Sequence, residues 1–133
     1  ILKTIKEKLA PNGIAYVSYN TRPCWNTVLS VRDMMQFHTK GLKTPDEKIT
    51  QARKLLEFLV KGLEQENTPY ANFLRDEIKI VSQAKDYYIY HEYLEDENNP
   101  IYFYQFANDL AKHELSYLAD AHLPSMYPGN LKE

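Results

Sequence analysis

Three residue pairs in which a helix-capping side chain precedes proline constrain the fold more than any other feature of the sequence: Thr44-Pro45, Thr68-Pro69 and Asn99-Pro100. Proline fits the first turn of a helix, where its missing N–H is not needed, and Thr or Asn before it can cap free backbone N–H groups. Glu47 follows Thr44 by three residues and completes a capping box. Each pair therefore predicts a helix start, and we expect a mainly helical fold.

The apolar residues that accompany these starts recur at the three- and four-residue spacing of packed helices. The first start is followed by Ile49, Ala52, Leu55, Leu56, Leu59 and Leu63. The second run is long enough to break near Asp86, and its apolar face comprises Phe73, Leu74, Ile78, Val81, Ala84, Tyr87, Tyr88 and His91. The third start precedes Phe103, Phe106, Ala107, Leu110 and Ala111, and its helix is expected to end near His113. We therefore expect a bundle-like helical module.

An earlier helix of about 12 residues is predicted before Gly41, with Val28, Val31, Met35 and His38 on its packed face and Arg32 and Gln36 off it. At the other end of the chain, residues 117–123 fit either a short strand or an irregular segment. A loop is expected from Pro124 onward, because Pro128 and Gly129 follow it.

The first 20 residues predict a different kind of unit, a short amphipathic helix over residues 1–9 and then a strand over residues 14–20. Pro11 cannot continue the helix, and Gly13 supplies the permissive backbone for the turn. Ile14, Ala15, Tyr16 and Val17 follow in succession, as in a strand buried on both faces of a sheet. Since such a strand needs neighbours and the chain starts with Ile, we expect a piece that begins inside a larger α/β domain.

Composition excludes several classes of protein. The single cysteine, Cys24, cannot form an internal disulfide, which favours a reducing, cytoplasmic location. No apolar run approaches the roughly 20 residues of a membrane span. Residues 1–61 carry 11 Lys and Arg against 5 Asp and Glu, and residues 62–133 carry 5 against 13. No dense basic patch is interleaved with aromatic residues, so we expect neither a nucleic-acid nor a membrane partner.

Several motifs together resemble a known family. They are residues 18–25 (SYNTRPCW), 32–38 (RDMMQFH), 91–95 (HEYLE), 100–103 (PIYF) and 115–118 (LSYL). The chain resembles the methyltransferase regulatory domain, a helical module that follows the class I S-adenosylmethionine-dependent methyltransferase domain in bacterial enzymes, including protein-lysine methyltransferases. The opening helix, turn and strand resemble the last element of that α/β Rossmann-like catalytic domain. The family usually has Pro-Gly-Trp-His where this chain has Pro23-Cys24-Trp25-Asn26.

The resemblance implies a domain organisation and a role. Residues 1–21 would be the C-terminal remnant of the methyltransferase domain, and residues 22–133 the regulatory domain, with residues 21–26 as the linker. S-adenosylmethionine would bind the parent enzyme, and the upstream methyltransferase domain would be a partner in cis. The glycine-rich turn that binds the cofactor is not found in these residues, so we expect no cofactor binding and no catalysis by this chain alone.

Two groups of residues are candidates for substrate binding. Ser18, Tyr19 and Asn20 follow the predicted strand, at the end where open α/β sheets bind ligands. The alternative is that Ser18 and Asn20 only satisfy backbone groups where the strand ends. Trp25, the only tryptophan, is interpreted as a hydrophobic anchor for the linker.

The second group is His91, Glu92 and Glu95, within a segment rich in acids and tyrosines and without Lys or Arg between residues 86 and 111. Carboxylates and aromatic faces suit a cation such as a lysine ammonium group. The alternative is that the tyrosines form helix core and that residues 95–99 form a solvated turn. A zinc site is not expected, because Glu95 stands where the second histidine of a zincin motif would be.

The sequence therefore favours a regulatory or substrate-recognition module of a methyltransferase that acts on protein lysine or another amine. The rival hypothesis is a non-catalytic helical module for protein–protein interaction or dimerisation. Some self-association of the chain is expected, because an unpaired strand over residues 14–19 invites pairing with another chain.

Overall fold

The computed structural model describes residues 1–127 and 129 and confirms the mainly helical class. The described residues contain six α-helices, a π-helical turn after the fifth and a short 3₁₀ turn near the end. The helices are α1 (Leu2–Lys8), α2 (Trp25–His38), α3 (Pro45–Leu63), α4 (Pro69–Gln83), α5 (Asp86–Ile89) and α6 (Phe103–Lys112). The π turn spans Tyr90–Leu94, and the 3₁₀ turn spans Leu123–Met126. None of the helices in the described part of the chain is both long and apolar enough to cross a membrane.

The chain divides into two compact units. The helical unit is Arg22–Asn99, and the terminal unit is Ile1–Thr21 together with the described residues from Pro100 on. The assignment of residues 22–133 to one regulatory domain stays a prediction. In the terminal unit, α1 is linked to the residues after α6 by a salt bridge of 3.1 Å between Lys6 Nζ and Glu114 Oε2.

The core of the helical unit is formed where α2, α3, α4 and the π turn pack together. Its largest fully buried side chains are Met35, Leu56, Ile78, Ile89, Leu94, Val31 and Val81. Each such side chain contributes about 1.5–3 kcal/mol when it leaves water. The apolar stripes predicted for the first two helix starts supply three of these seven residues, Leu56, Ile78 and Val81, so the helical periodicity of α3 and α4 is confirmed.

The two threonine caps are formed as predicted. The backbone N–H of Glu47 donates to Thr44 Oγ1 at 3.3 Å, and the backbone N–H of Thr44 donates to Glu47 Oε2 at 3.2 Å. This bonding by the Thr44 hydroxyl and backbone lowers the pKa of the Glu47 carboxyl below its usual value. At the next helix, the backbone N–H of Ala71 donates to Thr68 Oγ1 at 3.2 Å. Local capping chemistry therefore fixes where α3 and α4 begin.

The third predicted start, at Asn99-Pro100, is wrong by three residues. The backbone N–H of Ile101 donates to Asn20 O at 3.1 Å, and Ile101 forms an isolated parallel bridge with Thr21. This pairing keeps Ile101 extended, so α6 begins at Phe103 and the side chain of Gln105 accepts from the Tyr102 N–H at 2.9 Å. The predicted end of this helix is confirmed, since α6 ends at Lys112.

The strand predicted over residues 14–20 is not formed, although the preceding helix is. Next to this segment, the described residues show only an isolated β bridge, between Thr21 and Ile101. Ile14 and Tyr16 are each 77% exposed, so the expected burial on both faces is also wrong among the described residues. A strand is held by hydrogen bonds to a neighbouring strand, and the described residues form no strand beside residues 14–20.

The packed face of α2 differs from the predicted one. Val31 and Met35 are buried as expected, but Arg32, predicted to lie off the face, is only 6% exposed. His38, predicted to lie on the face, is exposed. The cause is the π turn that packs on α2, since it presents backbone carbonyl groups there and the guanidinium of Arg32 binds one of them.

The predicted break near Asp86 is confirmed, and it shifts which side chains are buried after it. Ala84 has an extended backbone (ψ 151°), after which α5 begins at Asp86. Tyr87 and Tyr88 are 65% and 43% exposed, contrary to the continuous helical face predicted for this run, and His91 is exposed as well. The buried residues of this segment are instead Ile89, Tyr93 and Leu94.

After α6 the described chain is irregular, which decides between the two alternatives for residues 117–123. The following stretch holds the 3₁₀ turn within the predicted loop. Pro128, which contributed to that loop prediction, lies outside the described residues.

Candidate functional site

The candidate site is built on the π turn of the helical unit. The backbone N–H of Glu95 donates to Tyr90 O at 3.0 Å, a five-residue spacing that widens the turn relative to an α-helix. Such π turns occur frequently at functional sites. In this turn the Tyr93 side chain points into the unit and is only 3% exposed, whereas His91 on the same turn is exposed.

Tyr93 joins a carboxylate to a group of aromatic rings. Its hydroxyl donates to Glu77 Oε1 of α4 at 3.1 Å, and Glu77 is itself only 9% exposed. The rings of Tyr88 and Trp25 lie with their centroids 6.4 and 6.5 Å from that of Tyr93. We call Trp25, Glu77, Tyr88, Glu92 and Tyr93 the acid–aromatic cluster. It combines four elements of the helical unit, because α2, α4, α5 and the π turn each contribute to it.

The electrostatics of the cluster are set by burial and by two carboxylates. Burial, followed by the charge of Glu77, raises the pKa of the Tyr93 phenol far above its usual value. Burial also raises the pKa of Tyr88, with further contributions from Glu92 and then Glu77. Both phenols therefore keep their protons at neutral pH. The carboxylates supply the negative charge, and the rings supply apolar faces that also attract cations.

The three residues predicted in this segment lie on or directly after the π turn. His91 Nδ1 is 2.9 Å from Glu95 Oε1, and these side chains are 62% and 40% exposed. Asn98 Nδ2 donates to the backbone oxygen of Glu92 at 3.0 Å and to its Oε2 at 3.1 Å. The chain after the turn is therefore folded back against Glu92. His91 is not the core histidine that the sequence suggested, since its ring meets solvent and an acid.

The other three predicted residues belong to the terminal unit. The ring of Tyr19 packs on Phe106 with centroids 4.4 Å apart, and burial and the charge of Asp120 raise the pKa of Tyr19. Asn20 O accepts from the Ile101 N–H, and Ser18 is exposed. The bond at Asn20 uses its backbone oxygen, so it does not decide between the two alternatives for the side chains of Ser18 and Asn20.

Tyr19 also lines a largely apolar cleft of about 1210 Å³ within the terminal unit, between α1, the turn after it, α6 and the irregular segment that follows. Tyr117, another lining residue, donates from its hydroxyl to Asp120 Oδ1 at 2.5 Å. This bond raises the pKa of Tyr117 to about 12. Apart from such pairs, the cleft presents mainly aliphatic and aromatic side chains.

Two buried charged residues of the helical unit, Arg32 and Glu77, were missed in the sequence. Glu77 lies between Leu74 and Ile78 on α4, so the helical spacing that predicted the apolar face would have placed this acid on it. Arg32 carries no comparable signal, because the spacing of α2 places it beside the apolar face. The anchor interpretation of Trp25 agrees with its half-buried position beside Tyr93. Among the described residues, no group of three His, Cys, Asp or Glu side chains could hold a metal ion.

Comparison with known proteins identifies relatives of this chain. Residues 85–133 match the family described as predicted methyltransferase regulatory domain. The chain is 44% identical over 131 residues to RP789 of Rickettsia prowazekii, and 46% identical over 112 residues to RP028 of the same organism. These matches cover 98% and 84% of the chain, but only 24% and 45% of the relatives. The chain therefore spans less than half the length of either curated relative.

Solved structures give the same relationship. PKMT2 from Rickettsia typhi matches 98% of the chain with 46% identity and a TM-score of 0.80, and the chain covers 24% of it. The structure of PKMT2 in complex with AdoHcy matches with a TM-score of 0.81. At 46% identity the two proteins are similar in sequence as well as in fold. Residues 85–133 are therefore similar to the predicted methyltransferase regulatory domain, and the chain is homologous to part of PKMT2 from Rickettsia typhi.

Proposed function

We propose that this chain is the substrate-recognition part of an S-adenosylmethionine-dependent methyltransferase that acts on protein lysine or another amine, and that it does not catalyse alone. The observation that carries the proposal is the match to PKMT2, whose name denotes a protein-lysine methyltransferase, over 98% of the chain at 46% identity. An upstream methyltransferase domain in cis would supply the chemistry. A cytoplasmic location fits the exposed free thiol of Cys24.

The cofactor of the parent enzyme would be S-adenosylmethionine, since a structure of PKMT2 contains AdoHcy, the product that methyl transfer leaves. The turn at Gly13 has no room for a side chain. A Cβ atom added at Gly13 would lie 2.9 Å from Ala10 O and 3.0 Å from Leu9 Cδ1. The space in front of Gly13 is thus filled by the chain's own turn, so we assign no cofactor contact to it.

The acid–aromatic cluster and the exposed acids of the π turn support a cationic acceptor. Glu92 raises the pKa of both Tyr88 and Tyr93, so its charge acts on the same place as their rings. Glu95 directly follows the turn, and its side chain is 40% exposed beside His91. A lysine ammonium group held between carboxylates and a tyrosine face gains about 0.5–2 kcal/mol per aromatic contact. We therefore propose His91, Glu92 and Glu95 as contacts for the acceptor, and Ser18, Tyr19 and Asn20 as a separate set of acceptor contacts in the terminal unit.

The test is steady-state methyl transfer by the full-length protein to a lysine-containing peptide, with Glu92→Gln and Glu95→Gln. Glutamine keeps an oxygen for Asn98 at position 92 but removes the charge. We expect the KM for the peptide to rise roughly three- to tenfold per variant, about 0.7–1.4 kcal/mol for the loss of one partly buried charge pair with the lysine, while the KM for S-adenosylmethionine is unchanged.

Asp96→Asn is the matched control, because it removes the same charge from an exposed neighbouring position. Its KM for the peptide should stay within twofold of that of the unmodified protein, roughly the effect of an isolated surface charge. If neither glutamine variant changed the KM for the peptide, the proposed recognition of a cation by these acids would be wrong.

A second candidate function, association through the terminal unit, has one observation in its favour. Ile14 and Tyr16 are 77% exposed in a segment without strand pairing. Unpaired apolar segments invite pairing with another chain. Size-exclusion chromatography with light scattering tests this candidate. Concentration-dependent association that is lost in an Ile14→Lys variant would support it, and a monomer at all concentrations would exclude it.

A further inference from the structure

Arg32 is a buried arginine that binds the backbone at the end of the π turn. It lies on α2 and is only 6% exposed. Its Nη2 donates to Glu95 O at 2.5 Å and is 3.5 Å from Asp96 O, while its Nη1 donates to Gln36 Oε1 at 3.0 Å. Gln36 Nε2 then donates to the same Glu95 O at 2.9 Å. Two side chains of α2 therefore hold one carbonyl group.

The stability of the fold alone does not account for this arrangement. The Nε atom of Arg32 is buried and has no hydrogen-bond partner among the described residues. No acidic side chain in the described part of the chain is paired with Arg32 either, since its bonds go to backbone oxygens and to Gln36. A buried charge with an unsatisfied donor costs free energy, and an apolar side chain of similar size often stabilises a fold better. What the guanidinium supplies is the position of Glu95.

Glu95 is the residue at which the π turn ends. Its N–H closes the turn on Tyr90 O, its carbonyl group is held by Arg32 and Gln36, and its carboxylate meets His91. A positive group at the C-terminal end of a helix also interacts favourably with the helix dipole. Loss of the Arg32 bond would release the backbone from which the Glu95 side chain projects.

We infer that Arg32 is a positioning residue for acceptor recognition, because it fixes the end of the π turn and so the directions of Glu92 and Glu95. The inference rests on the proposed function of these two acids. Arg32 itself touches no acceptor. It is expected to affect the affinity for the acceptor and not the chemical step.

The test compares Arg32→Met with Arg53→Met in the full-length protein. Arg53 is the control because it holds the end of α4 and the start of α5 instead of the π turn. Its Nη1 and Nη2 donate to Ser82 O and Ala84 O at 3.2 and 2.9 Å, and its Nε donates to Asp86 Oδ1 at 3.0 Å. The assay is run below the melting temperature of each variant. We expect Arg32→Met to raise the KM for a lysine-containing peptide about fivefold and to leave kcat unchanged. Arg53→Met should leave both constants unchanged. Similar KM values for Arg32→Met and the unmodified protein would overturn the inference.

Two further variants keep the test decisive if Arg32→Met does not fold. Arg32→Lys retains the charge and one donor for Glu95 O, so its KM should lie between those of Arg32→Met and the unmodified protein. Gln36→Leu removes the second donor to Glu95 O without removing a charge, and its KM should rise by about twofold. If Arg32 had a purely structural role, the KM would follow the melting temperature across all variants, Arg53→Met included. That result would refute the positioning role.

Failure of the inference can be told from failure of the proposed function. If Glu92→Gln raises the KM and Arg32→Met does not, Arg32 is structural and the acids still recognise the acceptor. If neither acid variant changes the KM, the proposed function fails first. Amide hydrogen exchange at Glu95 tests whether Arg32 fixes the end of the π turn. Faster exchange in Arg32→Met than in Arg53→Met supports this, and equal rates exclude it.

Discussion

The buried pair of Tyr93 and Glu77 makes a strong prediction about stability. The two side chains are 3% and 9% exposed, and the phenol donates to the carboxylate at 3.1 Å. Tyr93→Phe keeps the ring and removes only the hydroxyl. Hydrogen bonds to charged groups contribute about 1.5–3 kcal/mol, and a buried carboxylate that loses its donor is left poorly solvated. We therefore expect Tyr93→Phe to lower the free energy of unfolding by about 2 kcal/mol at pH 7.

Urea titration followed by circular dichroism measures this loss, and Tyr87→Phe is the control. Tyr87 lies one turn earlier and is 65% exposed, so its variant should stay within about 0.5 kcal/mol of the unmodified protein. Replacing both members of the pair, as Tyr93→Phe with Glu77→Leu, should cost less than the sum of the two single changes, because no buried group is then left unpaired. A loss below 0.5 kcal/mol for Tyr93→Phe would refute this account of the pair.

The same pair predicts how stability depends on pH. Burial and Glu77 raise the pKa of Tyr93 in the folded chain, whereas the phenol of the unfolded chain titrates near its ordinary value of 10. The unfolded chain therefore binds fewer protons above pH 10, and the free energy of unfolding falls by up to about 1.4 kcal/mol per pH unit from this group. The contribution is fully present below pH 10. In Tyr93→Phe this part of the slope should be lost, so the difference in stability between the two proteins should shrink between pH 10 and 11.

Three other predictions concern the scaffold, each measured by urea titration. Thr44→Ala should cost about 1 kcal/mol through loss of the capping box, whereas Thr50→Ala, at an exposed position within the same helix, should not. Ile78→Ala should cost about 2–5 kcal/mol because Ile78 is fully buried, while Ile80→Ala, at a 63% exposed position two residues later, should cost less than 1 kcal/mol. Gly41→Ala should cost about 1 kcal/mol for backbone strain alone, since φ is 91° and no atom lies within 4 Å of the added Cβ.

The helical scaffold could be predicted because its signals are local. Thr44 and Thr68 fix the starts of α3 and α4 by bonds to residues three positions away, and the sequence contains both partners. The start at Pro100 could not be predicted in the same way. There the competing bond comes from Asn20, far away in sequence, and it holds Ile101 extended.

The site was predicted only in part, because a change of helical period alters which side chains are buried. A regular α-helix would place Tyr88 and His91 on the face continued from α4. The break at Ala84 and the wider π turn instead bury Ile89 together with Tyr93 and Leu94, which follow it by four and five residues. The assignment of the acids to acceptor binding stays a prediction, and the buried Glu77 on α4, which accepts from Tyr93, was missed.

The exposure of the acids on the π turn follows from this period. A continuous α-helix through the segment would turn His91 toward the core and leave Tyr93 in solvent. Glu92 would then have no buried tyrosine ring beside it. The π turn brings Tyr93 onto Glu77 and leaves His91 and Glu95 in contact with solvent. Directly after the wide turn, the carbonyl group of Glu95 accepts a hydrogen bond from the guanidinium of Arg32, which lies on α2. The proposed recognition by these acids thus depends on α2 as well as on the turn, so Arg32→Met tests how the acids are held and Glu92→Gln tests whether they recognise the acceptor.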